Sequence, residues 1–331
     1  MKLYYTVTNA DDSKSVKYIL KNKLSLSERL VKKLKYAGKI LSNSEPVHIN
    51  APVYTGDVIE ANIEFDDVNE EINPEKMDLD ILYEDDSIIA LNKPPFMVVH
   101  PTSYHLTGTM ANGVLHYLLN KGIRTRIRPV SRLDRNTSGI IIFALNQYVQ
   151  EKLIKQMHDN TYYKEYLGIV HGNMKNDSGV IDLPIERKPD SIMLRHISQS
   201  GSPSVTRYQV LEHLNNSDYV RFILETGRTH QIRVHCQAIG HPLVGDTLYP
   251  HLDSISMNSD QKHNEPSHTS HETLYSEESY FILGHIKLAL IDRQALHSHK
   301  TVFVHPVGGY TMELTAPVPS DICRALEILK K

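Results

Sequence analysis

Apolar residues recur at helical spacing in a few stretches and in alternating or continuous runs elsewhere, so the chain reads as several short helices among many strands. Ser27 to Lys35 starts as a helix should: Leu30, Val31 and Leu34 form one apolar stripe, and Lys32, Lys33 and Lys35 are left to solvent. Gly38 then turns the chain into short strand-like pieces that end near Glu60. Ile81 to Asp85 and Ile88 to Pro94 read as two strands around an acidic turn, with Pro94-Pro95 ending the second. A helix is expected from Met110 to Leu119, and a buried strand from the apolar run after Gly139. Gln147 to His158 is an amphipathic helix with Val149, Leu153, Ile154 and Met157 inward. Thr161 to Val170 is a strand, and Val205 to Leu211 and Tyr219 to Glu225 form a hairpin through Asn215 to Asp218. Thr229 then reads as the N-cap of a helix from His230 to Ile239, with Gly240 as its stop. On that helix His230, Arg233 and Gln237 share one face. Ile286 to Ile291, Thr301 to Val304 and Tyr310 to Leu314 are expected to close the sheet, and Ser320 to Leu329 is a last helix. Residues 251–280 are rich in Ser, His, Glu and Asn and read as a mobile insertion.

Charge divides the chain more sharply than composition does. Net charge is −3 over 331 residues, with 40% hydrophobic and 23% charged residues, as in an ordinary soluble protein of one large and one small domain. Residues 1–40 nevertheless carry ten Lys/Arg against three Asp/Glu, and residues 41–86 carry one against fourteen. The acidic stretch from Asp66 to Asp80, with Pro74 inside it, reads as a linker facing away from any nucleic acid. The block before it resembles the alpha-L RNA-binding module (the S-four type), in degenerate form, because Leu41-Ser42-Asn43-Ser44 replaces the usual Val-Asn-Gly turn. The expected division is a domain over 1–75 and a catalytic domain over 76–331. No apolar run is long enough to span a membrane, and no signal-peptide pattern opens the chain. With two cysteines, Cys236 and Cys323, and no CxxC, a disulfide framework is not expected and a cytoplasmic protein is.

The chemistry centres on Arg132-Leu133-Asp134-Arg135, followed by the turn-forming Asn136 to Gly139. One carboxylate stands between two arginines at the mouth of a buried strand, where neighbouring positive charge keeps an acid ionised. An Asp that only bonds its own turn backbone is the plainer alternative. Lys121, Arg124, Arg126 and Arg128 precede it, either as a solvated face or as a phosphate track. His263, His268 and His271 invite a metal reading, but no cysteine or ordered spacing supports them, and no metal site is expected.

Taken together, several blocks resemble the RluA/RluD family of pseudouridine synthases. They are Asn92-Lys93-Pro94, His100-Pro101, Arg132-Leu133-Asp134 with Thr137-Ser138-Gly139, Lys164-Glu165-Tyr166, and Gly227 to His235. Gly240 to Asp246 and Arg293 to His297 complete the set, in the family's order. One departure stands out: the family usually has His before Arg-Leu-Asp, and this chain has Ser131. The resemblance implies an α+β fold, a mixed and largely antiparallel central sheet in two halves with the active cleft between them. It also implies an isomerase that breaks the bond from ring nitrogen to sugar in a uridine, turns the ring over and rejoins it through carbon five. No cofactor is needed for that. The implied partner is ribosomal RNA of the large subunit, with transfer RNA as the alternative. Nothing in the sequence suggests more than a monomer, and no membrane partner is expected.

The same resemblance assigns residues. Asp134 would attack covalently or take a proton from the sugar, and either role needs it ionised. Arg233 would be its buried partner, holding it through a bidentate guanidinium fork. Tyr166 would lie against the uracil face, its hydroxyl helping to remove the proton from carbon five. A uridine in folded RNA must be flipped out, and Arg132 would fill the vacated space or contact a phosphate. Arg135, Lys164 and Arg228 are further RNA-binding candidates at the cleft rim. Two other readings compete: a non-catalytic RNA-binding protein of the same fold, and a metal hydrolase built on the histidine-rich segment.

Overall fold

A computed structural model of the chain describes residues 1–65, 71–250, 280–283 and 286–331. The histidine-rich stretch and most of the expected insertion lie outside the described residues.

The N-terminal unit has strands β1 (Lys2–Thr6), β2 (Ile40–Ser42), β3 (Glu45–Pro46) and β4 (Val58–Asn62), in the order β1-β4-β2-β3. Helix α1 (Glu28–Tyr36) packs on this sheet. The Ser27 hydroxyl caps α1 by accepting from the Leu30 amide at 3.1 Å, and Leu30, Val31 and Leu34 are buried. Asn43 and Ser44 both have positive φ, 52° and 70°, which suits the tight turn between β2 and β3. The apolar cluster under α1 continues into Ile88, Ala90, Ile140 and Ile142, so the unit shares its core with the larger sheet.

The larger sheet is built from β5 (Ile81–Glu84), β6 (Ile88–Lys93), β7 (Arg128–Pro129), β8 (Ser138–Ala144), β9 (Tyr163–His171), β10 (Ser178–Asp182), β13 (Val205–Leu214), β14 (Ser217–Leu224), β17 (Leu296–Val304) and β18 (Thr311–Thr315). Short pairs β11 (Ile185–Arg187) with β12 (Arg195–Ile197), and β15 (Tyr280–Leu283) with β16 (Ile286–Ala289), stand apart from it. The main order is β10-β13-β14-β9-β17-β8-β6-β5, with β18 on β17 and β7 on β8. Every pairing is antiparallel except β17 with β8, a parallel contact of two residue pairs, His297 with Ser138 and Ser298 with Gly139. That short contact is the seam between two halves of a mixed, mostly antiparallel sheet, the α+β class that the resemblance implied. Gly139 is required there: its φ is +106°, and a Cβ would lie 2.2 Å from the Ser298 carbonyl oxygen.

Helices α2 (Met110–Asn120), α3 (Gln147–His158), α4 (Gln231–Ala238) and α5 (Ser320–Leu329) cover the sheet. β6 and β8 are buried on both faces: Ile88, Ala90, Ile140 and Ile142 join one cluster, Ile89, Leu91, Ile141 and Phe143 the other. This double burial explains their unbroken apolar runs.

Several expectations are corrected. The hairpin between β13 and β14 turns through Asn215 and Asn216 alone, because Leu214 pairs with Ser217 and Asn216 takes φ of 47°. Residues 286–289 pair with Tyr280–Leu283 in a separate two-stranded sheet instead of closing the main one. The described end of the acidic linker is packed: Ile72 is buried, Glu75 accepts from the Gly108 amide at 2.8 Å, and Met77 and Leu79 lie against Gly113 of α2.

Candidate active site

Asp134 lies four residues before β8, at the seam. Its backbone carbonyl accepts from the Thr137 amide at 3.1 Å, closing a turn that aims the side chain toward α4. The carboxylate keeps 23% of its surface exposed, enough for a substrate to reach it. Arg233, in the first turn of α4, donates from one terminal nitrogen to Asp134 Oδ2 at 3.2 Å. The two residues assigned to each other from sequence are therefore brought together.

The expected bidentate grip on Asp134 is not what the structure has. The fork of Arg233 goes to Asp246, from Nε to Oδ2 at 2.7 Å and from Nη2 to Oδ1 at 2.8 Å. Asp246 also accepts from the amides of Leu248 and Tyr249. Asp246 is placed by the turn at Gly245, which crosses so close to the Arg293 carbonyl that a Cβ would meet it at 2.2 Å. Burial alone would lower the Arg233 pKa, but the Asp246 hydrogen bonds and charge, with Asp134, raise it, so the guanidinium stays charged. Asp246 belonged to a recognised block but carried no assigned role; nothing in local spacing points from residue 246 back to 233.

His230 is the second group missed. It is the N-cap of α4, in place of the expected Thr229, and it takes a left-handed conformation with φ of 59°. Its Nε2 lies 3.7 Å from Asp134 Oδ1. The Tyr249 hydroxyl accepts from the Arg195 amide at 2.9 Å, which leaves its proton for His230 Nδ1 at 2.8 Å. That arrangement favours the neutral tautomer with hydrogen on Nε2, facing the carboxylate. Burial lowers the His230 pKa, against the pull of Asp134.

Tyr166 sits on β9 opposite Ser298, at the seam. Burial pushes its hydroxyl up to about 12, a hydrogen bond with Ser298 opposes that, and the charge of Asp134 adds to the rise. Lys164, two residues earlier on the same face, is half-buried, and burial lowers its pKa. Its ammonium lies 3.4 Å from where a Cβ on Gly227 would be, which places it under the turn that carries Arg228. Arg132 is exposed and donates to the Thr229 hydroxyl at 3.2 Å, bridging the two halves. Arg135 is exposed and donates from Nε to the Phe96 carbonyl, and Arg228 donates from Nε to the Pro203 carbonyl, each at 3.3 Å. Lys121 leaves the basic run: it is paired with both carboxylate oxygens of Glu84 at 2.8 Å.

Two buried cations hold the Asp134 loop from beneath. Lys93 has no exposed surface and donates to the carbonyls of Pro94, Met97 and Arg135 at 2.9, 2.8 and 2.9 Å. Burial, with Arg293 nearby, pushes its ammonium down to about 7, while Asp134 opposes that. Arg293 forks onto Asp321 of α5 at 2.7 and 3.0 Å and donates to the carbonyls of Asn136, Gln294 and Leu296. Among the described residues no group of three or more His, Cys, Asp or Glu is placed to hold a metal ion, and no helix is long and apolar enough to cross a membrane.

Residues 87–238 match the protein family described as RNA pseudouridylate synthase. The chain is 33% identical over 305 residues to the uncharacterised RNA pseudouridine synthase YjbO of Bacillus subtilis, covering 92% of this chain and 95% of that one. It is 36% identical over 295 residues to ribosomal large subunit pseudouridine synthase D of Vibrio parahaemolyticus, covering 89% and 84%. In fold it is similar to the solved structure of human RNA pseudouridylate synthase domain containing 4, with a TM-score of 0.54 at 22% identity over 76% of this chain and 92% of that one.

Proposed function

The chain belongs to the RluA/RluD family of RNA pseudouridine synthases, and from that premise we propose that it isomerises particular uridines of large-subunit ribosomal RNA through Asp134. The observation that carries this reading is the partly exposed Asp134 carboxylate, 3.2 Å from a buried guanidinium at the seam of the sheet. A carboxylate in that position is held in place, kept from wandering into solvent, and still open on one side. The printed name of the Vibrio relative supports large-subunit ribosomal RNA as the substrate.

In the proposed reaction the uridine swings out of its stack and its sugar comes to rest beside Asp134. The bond from ring nitrogen to the anomeric carbon breaks as Asp134 attacks that carbon or removes a sugar proton. The freed ring turns over and its carbon five bonds the anomeric carbon as the Asp134 ester breaks or the sugar proton returns; the proton on carbon five then leaves and ring nitrogen one takes a proton from solvent. Arg233 keeps Asp134 oriented through these steps. The Tyr166 hydroxyl, pushed up to about 12, stays protonated near neutrality. That favours the ring as a platform for uracil over a phenolate base. Arg132, Arg135, Lys164 and Arg228 would bind phosphates or fill the gap in the stack. The N-terminal unit, with the lysines of α1 on its outer side, would add a second RNA contact.

Carbodiimide-dependent reverse-transcription stops in total RNA from cells with and without the gene test the reading and locate the uridine. We expect stops in large-subunit ribosomal RNA that vanish without the gene and are not restored by Asp134→Ala or Asp134→Asn, while RNA binding survives in both variants. Stops confined to transfer RNA would move the substrate, and an active Asp134→Asn enzyme would remove the mechanism.

A further inference from the structure

Phe96 is held in a backbone conformation that suits glycine better. It is the second central residue of the turn Pro94-Pro95-Phe96-Met97 and has φ of 64°. Proline followed by a residue of positive φ is the type II pattern, in which glycine ordinarily takes the second place. A bulky aromatic there is an outlier and stores strain. The strain is not repaid by core packing. Phe96 is 49% exposed, whereas Phe143, Phe222 and Phe303 are at most 1% exposed.

The turn is also tied directly to the catalytic loop. The Lys93 ammonium donates to the carbonyls at both ends of the turn, Pro94 and Met97, and to Arg135, the residue after Asp134. Arg135 donates back to the carbonyl of Phe96 itself. An aromatic side chain is thus carried on the solvent side of the loop that holds Asp134, on a backbone tied down by Lys93 and Arg135. A strained and tethered backbone that presents an exposed ring is the combination expected of a ligand contact, not of a loop that merely connects.

Resting on the active site proposed above, we propose that Phe96 is a stacking platform for an unpaired nucleobase next to the flipped uridine. Extruding a uridine leaves one face of its neighbour bare. A flat ring waiting at the cleft mouth covers that face and recovers part of the unstacking cost. Arg135, bonded to the same residue, is placed for the adjoining phosphate.

The test uses the full chain and total RNA from cells lacking the gene, grown on uridine tritiated at carbon five, since each isomerisation releases one tritium. Phe96→Gly removes both the ring and the strain. Its apparent KM should rise roughly five- to a hundredfold, the range of a lost base–aromatic stack, with a much smaller change in kcat and a Tm raised by about 2 °C or more. Phe96→Leu keeps the strain and the apolar bulk and should show the KM loss without the rise in Tm. Phe96→Trp should stay close to wild type. An active wild type with unchanged KM in the Gly and Leu variants overturns the stacking role alone. So does a KM loss in Phe96→Gly accompanied by a lowered Tm, which marks a damaged loop, and so does Phe96→Leu at the wild-type KM. No tritium release by wild type overturns the active-site reading and this one with it.

Discussion

Arg233 and Arg293 commit the same two nitrogens to the same kind of partner. Each directs Nε and Nη2 at one aspartate, Asp246 in the first case and Asp321 in the second. They differ in the third nitrogen. Nη1 of Arg293 is saturated by the carbonyls of Asn136, Gln294 and Leu296, whereas Nη1 of Arg233 reaches a second carboxylate, Asp134, that borders solvent. One fork closes a structural knot. The other leaves a hand free and so places two acids against one cation, with a neutral His230 beside them. A buried ion pair is weak evidence for stability by itself. The difference at the third nitrogen separates a pair that holds a loop from the pair to which we assign a part in the proposed reaction.

Arg233→Lys should break the comparison most severely. A lysine can still pair with Asp246, but its ammonium cannot span both carboxylates in one plane. We expect kcat to fall about a thousandfold with the fold retained by circular dichroism. A kcat within threefold of wild type would mean the 3.2 Å contact is idle. Asp321→Ala addresses the closed knot. It strands a fully buried guanidinium and should cost about 3 kcal/mol in a urea melt, with kcat lowered less than tenfold because Asp134 keeps its own partner. A larger catalytic than structural loss would show that both forks serve the reaction.

The histidines on the two sides sharpen the contrast at a smaller scale. Burial holds His230, His235 and His297 below the ordinary histidine range, His297 down to about 4. Groups that stay neutral when folded but charge on unfolding give the unfolded chain more protons. Stability is therefore full near neutrality and is lost as pH falls below about 6.5, continuing to about 4 for His297. His297 alone should account for about 2 kcal/mol of loss between pH 7 and pH 5. Thermal melts of wild type and His297→Gln should show a shallower slope in the variant; parallel slopes would sink the assignment.

Local pattern reached some of this and stopped for physical reasons. The cap and stripe of α1, the bounds of α3 and the two-faced burial of β8 follow from residues a few positions apart, and the sequence carries them openly; Ile154, expected on the inner face of α3, is instead exposed, while Tyr148 is buried with Val149 and Leu153. Asp134 and Arg233 were paired only through the resemblance, because 99 residues separate them. The fork from Arg233 to Asp246 and the bond from Arg293 to the Asn136 carbonyl, 157 residues away, leave no periodic trace. The left-handed His230 was hidden for another reason. Thr229 is the better intrinsic N-cap, yet its hydroxyl accepts from Arg132 and the helix starts one residue later, with His230 bonded to Tyr249. The two-residue turn at Asn215-Asn216 is shorter than local pattern suggests, because Ser217 and Asp218 are themselves turn formers, yet both are buried in β14.

Lys93 offers a built-in reporter. An amine that burial pushes down to about 7 is a ready target for acylating reagents once it gives up a proton, but here all three ammonium protons are held by carbonyls. With no exposed surface, it is shielded from such reagents until the three carbonyls let go. Mass-spectrometric labelling at this one lysine should therefore lag far behind the other lysines and keep time with the opening of the Asp134 loop. RNA that clamps the loop would slow that clock.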